Sequence, residues 1–334
     1  MNKYFLKIQG ENNNTASIKA KVDIENILSK SGYEVFKEKK WSFLKDCFNL
    51  LLKSDESIIV IQYPFISKTK FEILRKLKLL KKIKLITIIH DINSLRDIGV
   101  NKTEEISILN LSDYLIAHNN AMKNWLIDNG ITKTINNIEI FDYLKNIESD
   151  KNNSNKNNDD FKKIYFAGNL DKKKSGFLYS NDMKTINIKF NLYGPNFALN
   201  NTNKNLKYHG VFKPEELINH FGEGFGLIWD GSSIEECNGL SGEYLKYNNP
   251  HKTSLYLVSG LPVIIWEKAA MAKFIKENDL GIVISSLSNL DEVLNGITYD
   301  RYLEIKNNVN LIKSKIENGF FTKEAINKTI KEFK

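Results

Sequence analysis

The densest run of reactive residue types is Tyr247 to Ser254, YNNPHKTS. Asn248-Asn249-Pro250 is a turn signal. His251, Lys252, Thr253 and Ser254 then fall in the first turn of a predicted helix over 251–258. The macrodipole disfavours a cation at that end and welcomes an anion. Open backbone N–H groups, two hydroxyls and a lysine together make a cradle for a diphosphate. The plainer reading makes Thr253 or Ser254 a cap and Lys252 an exposed charge outside the core. A second basic run, GNLDKKKS (168–175), follows a predicted strand and sets three lysines beside a glycine. It suits either phosphate charge or a solvated loop, and it lacks the spacing of a P-loop. GEGFG (222–226) follows a predicted helix and opens a strand, the reverse of a dinucleotide fingerprint, so it reads as a tight turn.

Towards the N-terminus, the loop QGENNNTAS (9–17) joins a predicted strand to a helix. Thr15 or Ser17 there offers a hydroxyl to a ligand, or Ser17 simply caps the helix. His90 and Asp91 end another apolar strand. A His or Asp at such a strand end is placed to act as general base on a hydroxyl, or only to cap the next helix. His118, after the next strand, is a weaker candidate, and His209 and His220 read as structural. HExxH, paired CxxC, GxSxG and DxD patterns are absent. Metalloprotease, zinc-finger and serine-hydrolase readings therefore have no support, and neither a metal nor any other cofactor is expected.

These residues need a frame that brings strand ends together, and the rest of the chain supplies its signals. Apolar runs over 4–8, 57–62, 84–89 and 114–117 alternate with helical patterns over 18–31, 70–82 and 120–129; the second of these is basic and amphipathic. A polar stretch, 146–160, reads as a linker. The alternation then restarts, with strands over 162–169, 188–194, 206–212, 224–229, 262–266 and 281–285. Helices are expected over 214–221, 251–258, 268–278 and 300–334, the last broken at 318–321. Strands alternating with helices imply βαβ units and parallel sheets. The expected fold is α/β, with two Rossmann-like domains facing across a cleft.

Composition narrows the class. The 334 residues are 42% apolar, enough for two cores. A net charge of +8 suits nucleotides, acidic glycans or an anionic membrane surface, and selects none of them. Cys47 and Cys237 cannot form a disulfide framework, so a reducing cytoplasmic setting is expected. The N-terminal apolar stretch is too short for a signal peptide. The longest apolar run, 255–266, is too short to span a bilayer; peripheral attachment at the inner face of a membrane stays open.

GFGLIWDG (224–231), the run from Cys237 to Ile264 that includes CNG, GEYLK and YNNPHKTSLYLVSGLPVI, and GFFT (319–322) resemble one family closely. It is the β-1,6-galactofuranosyltransferase group of bacterial GT-B glycosyltransferases, related to the glucosyltransferase that extends N-acetylglucosamine on serine-rich adhesins. Weaker likeness extends to the Thr15 loop, IIHDI (88–92) and AGN (167–169). The resemblance implies an acceptor domain over 1–160, a nucleotide-sugar domain over 161–317, and a last helix, 318–334, returning to the first. It places the UDP diphosphate on the 248–254 turn with Lys252 as the charged contact, and Tyr247 beside it among the donor-binding residues. Asn169 and Lys172 would meet the nucleotide, and Thr15 would reach the donor phosphate from the other domain. Many GT-B enzymes carry a ribose-binding Glu where this chain has Leu255, so ribose recognition must come from elsewhere. The implied reaction moves a hexose from a UDP-sugar to a hydroxyl of a lipid-linked or protein-attached glycan, by one inverting displacement without metal. Asp91, with His90, is the candidate base. Galactofuranose ranks first as donor sugar and glucose second. A non-catalytic partner subunit is the alternative from another class, a nucleic-acid partner is not expected, and a homo-oligomer stays open.

Overall fold

The computed structural model describes residues 1–7, 16–36, 40–52, 56–64, 68–145, 161–198 and 202–333. They form two compact units, Met1–Asp142 with Gly319–Lys334, and Tyr143–Asn318.

Unit 1 alternates strands β1 (Asn2–Leu6), β2 (Glu34–Phe36), β3 (Ser57–Tyr63), β4 (Ile83–Ile89), β5 (Tyr114–Ala117) and β6 (Thr134–Asn137) with helices α1 (Ala16–Lys30), α2 (Lys40–Leu52), α3 (Lys68–Leu80), α4 (Lys102–Leu109) and α5 (Asn120–Asp128). The sheet runs β2-β1-β3-β4-β5-β6 and is parallel throughout. SIIVIQY of β3 is buried at every residue and pairs in register with β4 from Ser57–Ile83 to Tyr63–Ile89. Such continuous apolar runs are what a parallel strand covered on both faces requires. The chain steps from β1 outward to β2 and then returns to the other side of β1, so β1 and β3 flank the point where strand order reverses.

Unit 2 holds β7 (Lys163–Ala167), β8 (Lys189–Tyr193), β9 (Leu206–Tyr208), β10 (Phe225–Ile228), β11 (Val263–Trp266) and β12 (Gly281–Ile284) in the order β12-β11-β10-β7-β8-β9, again all parallel. Its helices are α6 (Lys172–Ser175), α7 (Pro214–Leu217), α8 (Gly239–Tyr244), α9 (His251–Val258), α10 (Ala272–Glu277), α11 (Leu290–Gly296) and α12 (Tyr299–Glu317). Here the order reverses between β7 and β10. The final helix, α13 (Phe320–Lys331), packs on α1, β5 and β6 of unit 1. The Asp142 carboxylate accepts the backbone N–H groups of Phe321 (3.2 Å) and Thr322 (2.7 Å), which caps α13. Burial pushes Asp142 up to about 6 against the opposing pull of those hydrogen bonds.

Several elements differ from the sequence reading. β2, α2, α4, β6, α8 and α11 were not anticipated, and with β2 present 114–117 is the fifth strand of its sheet and not the fourth. EVF and TINN are too short to show a period of two. α2 exposes Leu44, Phe48 and Leu52 while burying Phe43, Cys47 and Leu50, which blurs its amphipathic signature. The helix expected over 268–278 shrinks to Ala272–Glu277, and the one over 214–221 changes to 3-10 geometry at Ile218. GEGFG is the tight turn anticipated, with Gly224 at φ +142 just before β10. Among the described residues no helix is long and apolar enough to cross a membrane.

Candidate functional site

In an open parallel sheet, ligands bind beyond the carboxyl ends of the strands where strand order reverses. In unit 2 that point lies past β7 and β10, and α9 is anchored there. The Tyr256 hydroxyl of α9 accepts the Ala167 N–H at the end of β7, at 2.7 Å. The Tyr256 ring lies flat over β10 at Gly226, where an added Cβ would stand 2.2 Å from Tyr256 Cγ. Pro250 precedes the first turn of α9 with extended backbone and makes no side-chain cap. The first turn thus has no side-chain cap, and the Thr253 N–H closes back on the Pro250 carbonyl at 2.8 Å.

Lys252 does not project into solvent, and the sequence expectation is corrected here. Its side chain is 14% exposed and pairs with Asp230 Oδ1 at 2.9 Å. The ammonium also donates to the Trp229 carbonyl at 3.2 Å and stands 4.8 Å from the centre of the Phe166 ring. Burial pushes the Lys252 pKa below the ordinary lysine value; Asp230 works against that fall, and the positive charge of Lys174 adds to it. The long lysine stem thus carries its charge off the helix axis to the ends of β7 and β10. An anion over the α9 N-terminus would meet helix dipole and ammonium together.

The polar groups around the turn point the same way. Asn248 Oδ1 and Thr253 Oγ1 are buried and find no hydrogen-bond partner among the described residues. Each such group costs about 1–3 kcal/mol unless a partner arrives, which makes them natural ligand contacts. Asn249 and Ser254 are buried, Tyr247 is half-buried, and His251 stacks on Tyr143 at 5.0 Å. Asn169 is exposed just beyond β7, where its Oδ1 accepts from the Asp171 N–H and Asn196 Nδ2. Residues 172–175 are the short helix α6 and not a loop, capped by Asp171. Lys172 is exposed at its start, 5.5 Å from the Tyr179 ring centre. The Lys174 carbonyl accepts the Gly231 N–H at 2.7 Å, which ties α6 to the segment after β10.

In unit 1, Asp91 lies just past β4 and pairs with Arg96 at 2.7 Å. That pairing was not foreseen: it sets a guanidinium beside the carboxylate at the strand end. His90 is buried and its ring stacks on Phe141 at 5.2 Å. Gln62 donates through Nε2 to the Lys21 carbonyl at 3.2 Å, so its Oε1 faces His90 Nε2 at 2.7 Å. This assigns the ring proton to Nε2 and the basic lone pair to Nδ1. Burial pushes His118 down to about 3, opposed by its hydrogen bonds to the backbone at Ile89 and His90. It is a neutral brace at the end of β4. Thr15 lies outside the described residues.

The sequence reading missed Asp230, Phe166 and Arg96. An Asp two positions past a buried strand end, as in FGLIWD, was a usable signal for the first. For the others only strand order reveals the partner.

Models of the glucosyltransferase 3-like family match the chain twice, the N-terminal domain over residues 2–140 and the C-terminal domain over 164–329. The β-1,6-galactofuranosyltransferase WbbI of Escherichia coli (strain K12) is 34% identical over 282 residues, 84% of this chain and 81% of that protein. Glucosyltransferase 3 of Streptococcus gordonii is 27% identical over 165 residues, 49% of this chain and 47% of that one. Among solved structures, Anabaena Alr3699/HepE in complex with UDP and glucose aligns with a TM-score of 0.58 at 13% identity, covering 100% of both chains. That last likeness bears on the fold alone.

Proposed function

The chain belongs to the glucosyltransferase 3-like family, glycosyltransferases of GT-B fold that use UDP-sugars, and from that premise we propose that it transfers galactofuranose from UDP-galactofuranose to a hydroxyl of a glycan acceptor, with inversion and without a metal. The donor sugar is taken from the 34%-identical relative. The observation that supports the donor site most is the Lys252–Asp230 pair beside the uncapped start of α9, at the reversal point of the second sheet.

The acceptor oxygen attacks the anomeric carbon as the bond to the diphosphate breaks. Negative charge then grows on the leaving UDP. Lys252 and the α9 N–H groups stabilise that charge, while Asn248 and Thr253 gain the partners they lack. We assign the acceptor proton to Asp91, which Arg96 holds at the end of β4, with His90 as the second candidate. A single displacement inverts the anomeric centre.

Two measurements test this reading. Calorimetry with UDP in excess EDTA should show binding, and a requirement for Mg²⁺ or Mn²⁺ would refute the metal-free mechanism. A panel of UDP-sugars, with UDP release as readout, should rank UDP-galactofuranose first. The match to glucosyltransferase 3 supports a second reading, UDP-glucose as donor to an N-acetylglucosamine-modified protein, and preference for UDP-glucose in the panel would select it.

A further inference from the structure

The basic helix α3 is a feature of the sequence that the donor chemistry leaves unused. Residues 68–82 carry seven Lys or Arg. The same stretch holds a single acidic residue, Glu72, which pairs with Arg75, while Lys78 reaches Asp113 and Lys82 reaches Glu56.

α2 and α3 both cross the sheet in the same sense, from β2 to β3 and from β3 to β4. Right-handed crossovers put them on one face, side by side and running the same way. Lys70 Nζ stands 5.9 Å from the Phe43 ring centre, which sets their register. Phe43, Cys47, Phe71 and Leu74 point inward and share one core cluster. Facing outward, Leu44, Phe48 and Leu52 recur at intervals of four along α2, and Phe48 and Leu52 are 60% and 70% exposed. The register brings Leu52 level with Leu79 and Leu80 of α3, themselves 78% and 69% exposed. Lys76 shares the outer face of α3 with both leucines by helical spacing.

We propose that this face of unit 1 docks on an anionic lipid bilayer. The leucines and Phe48 enter the boundary between headgroups and acyl chains, and the lysines rest their stems on that layer and meet lipid phosphates. Charge decides among occupants. A second copy of the chain would set like charge against like. An anionic bilayer complements the lysines and takes up the bare apolar side chains at once.

The test is co-sedimentation of the full chain with vesicles. Equimolar phosphatidylglycerol and phosphatidylcholine vesicles should retain the protein at about 0.1 M salt and release most of it at about 0.5 M; pure phosphatidylcholine should retain little. Leu79→Ser with Leu80→Ser, and separately Lys76→Gln with Lys82→Gln, should each weaken retention about tenfold or more. Melting temperature and UDP affinity should stay at the parent values in both, which separates this surface from the donor site. The proposal fails if the parent remains in the supernatant with anionic vesicles, or if both variants sediment as the parent does. It also fails if soluble polyglutamate binds as tightly as the vesicles, which would assign the face to an acidic protein. A parent dimer that Leu79→Ser with Leu80→Ser dissolves would make it an interface between copies.

Discussion

Both sheets present an ion pair at a carboxyl strand end, and the two pairs differ in surroundings. In unit 2, Lys252 and Asp230 are both largely enclosed, with side chains 14% and 8% exposed. In unit 1, Asp91 and Arg96 are more open, at 22% and 40%. Enclosed charges are screened little by water, so each depends on its partner and losing one leaves the other stranded. Open charges trade partners with solvent at small cost. On the function proposed above, the enclosed pair is the fixed electrostatic device for the diphosphate. On the same proposal, the open pair holds the group that releases one partner and accepts a proton from another.

The sharpest way to break this contrast is Asp91→Asn. It keeps the shape and most hydrogen bonding but removes basicity, so turnover should fall by roughly 10²–10⁴. UDP affinity and melting temperature should hold, because the Arg96 pair is exposed enough to contribute little to stability. Transfer at the parent rate would move the base to His90.

Lys252→Ala should cost about 10- to 150-fold in UDP affinity, the range for a charge-assisted phosphate contact. Unlike Asp91→Asn it should also lower the melting temperature, since Asp230 is left buried without its cation. Equal melting temperatures for Lys252→Ala and the parent would remove the distinction between the two pairs. Asp230→Asn sharpens it further. Burial already lowers the Lys252 pKa and Asp230 opposes that fall. Without the carboxylate, the loss of UDP affinity with rising pH should begin at lower pH than in the parent. Calorimetric titrations from pH 7.5 upward, above the last phosphate ionisation of UDP, read this directly.

Gly226→Ala addresses how the unit 2 device is held. The new Cβ would meet the Tyr256 ring, so α9 must shift or the fold must weaken by about 1–3 kcal/mol. Urea unfolding measures the loss, and UDP affinity should fall with it because the α9 N-terminus moves.

The smallest effect belongs to unit 1. Asp142 has a pKa near 6 in the fold and near 3.9 when unfolded. The folded state binds the extra proton between those values. Its stability is therefore highest below the lower one and falls as pH rises through about 6. Asp142→Asn should flatten that slope, as seen by urea titrations at successive pH values.

How much of this was readable in advance can be judged element by element. Residues 114–117 and 251–258 appear in the structure with the bounds read from sequence. The first is a short apolar run, and the second is framed by Asn-Asn-Pro before it and Ser-Gly after it. Those are local signals, set by side-chain period and backbone preference within a few residues. The local makeup of 248–254 was legible for the same reason, because a turn, a helix start, a lysine and two hydroxyls are adjacent in the chain. The state of Lys252 was not legible. Asp230 lies 22 residues away and Phe166 farther still, and they meet the ammonium only because β10 returns to pair with β7. Whether a lysine is solvated or enclosed depends on that pairing, which long-range burial decides and no local pattern encodes. The sequence by itself thus determined the fold class and the chemistry available at each strand end. The tertiary structure alone decided which charges face each other, since Coulomb and desolvation energies follow distance in space and not distance along the chain.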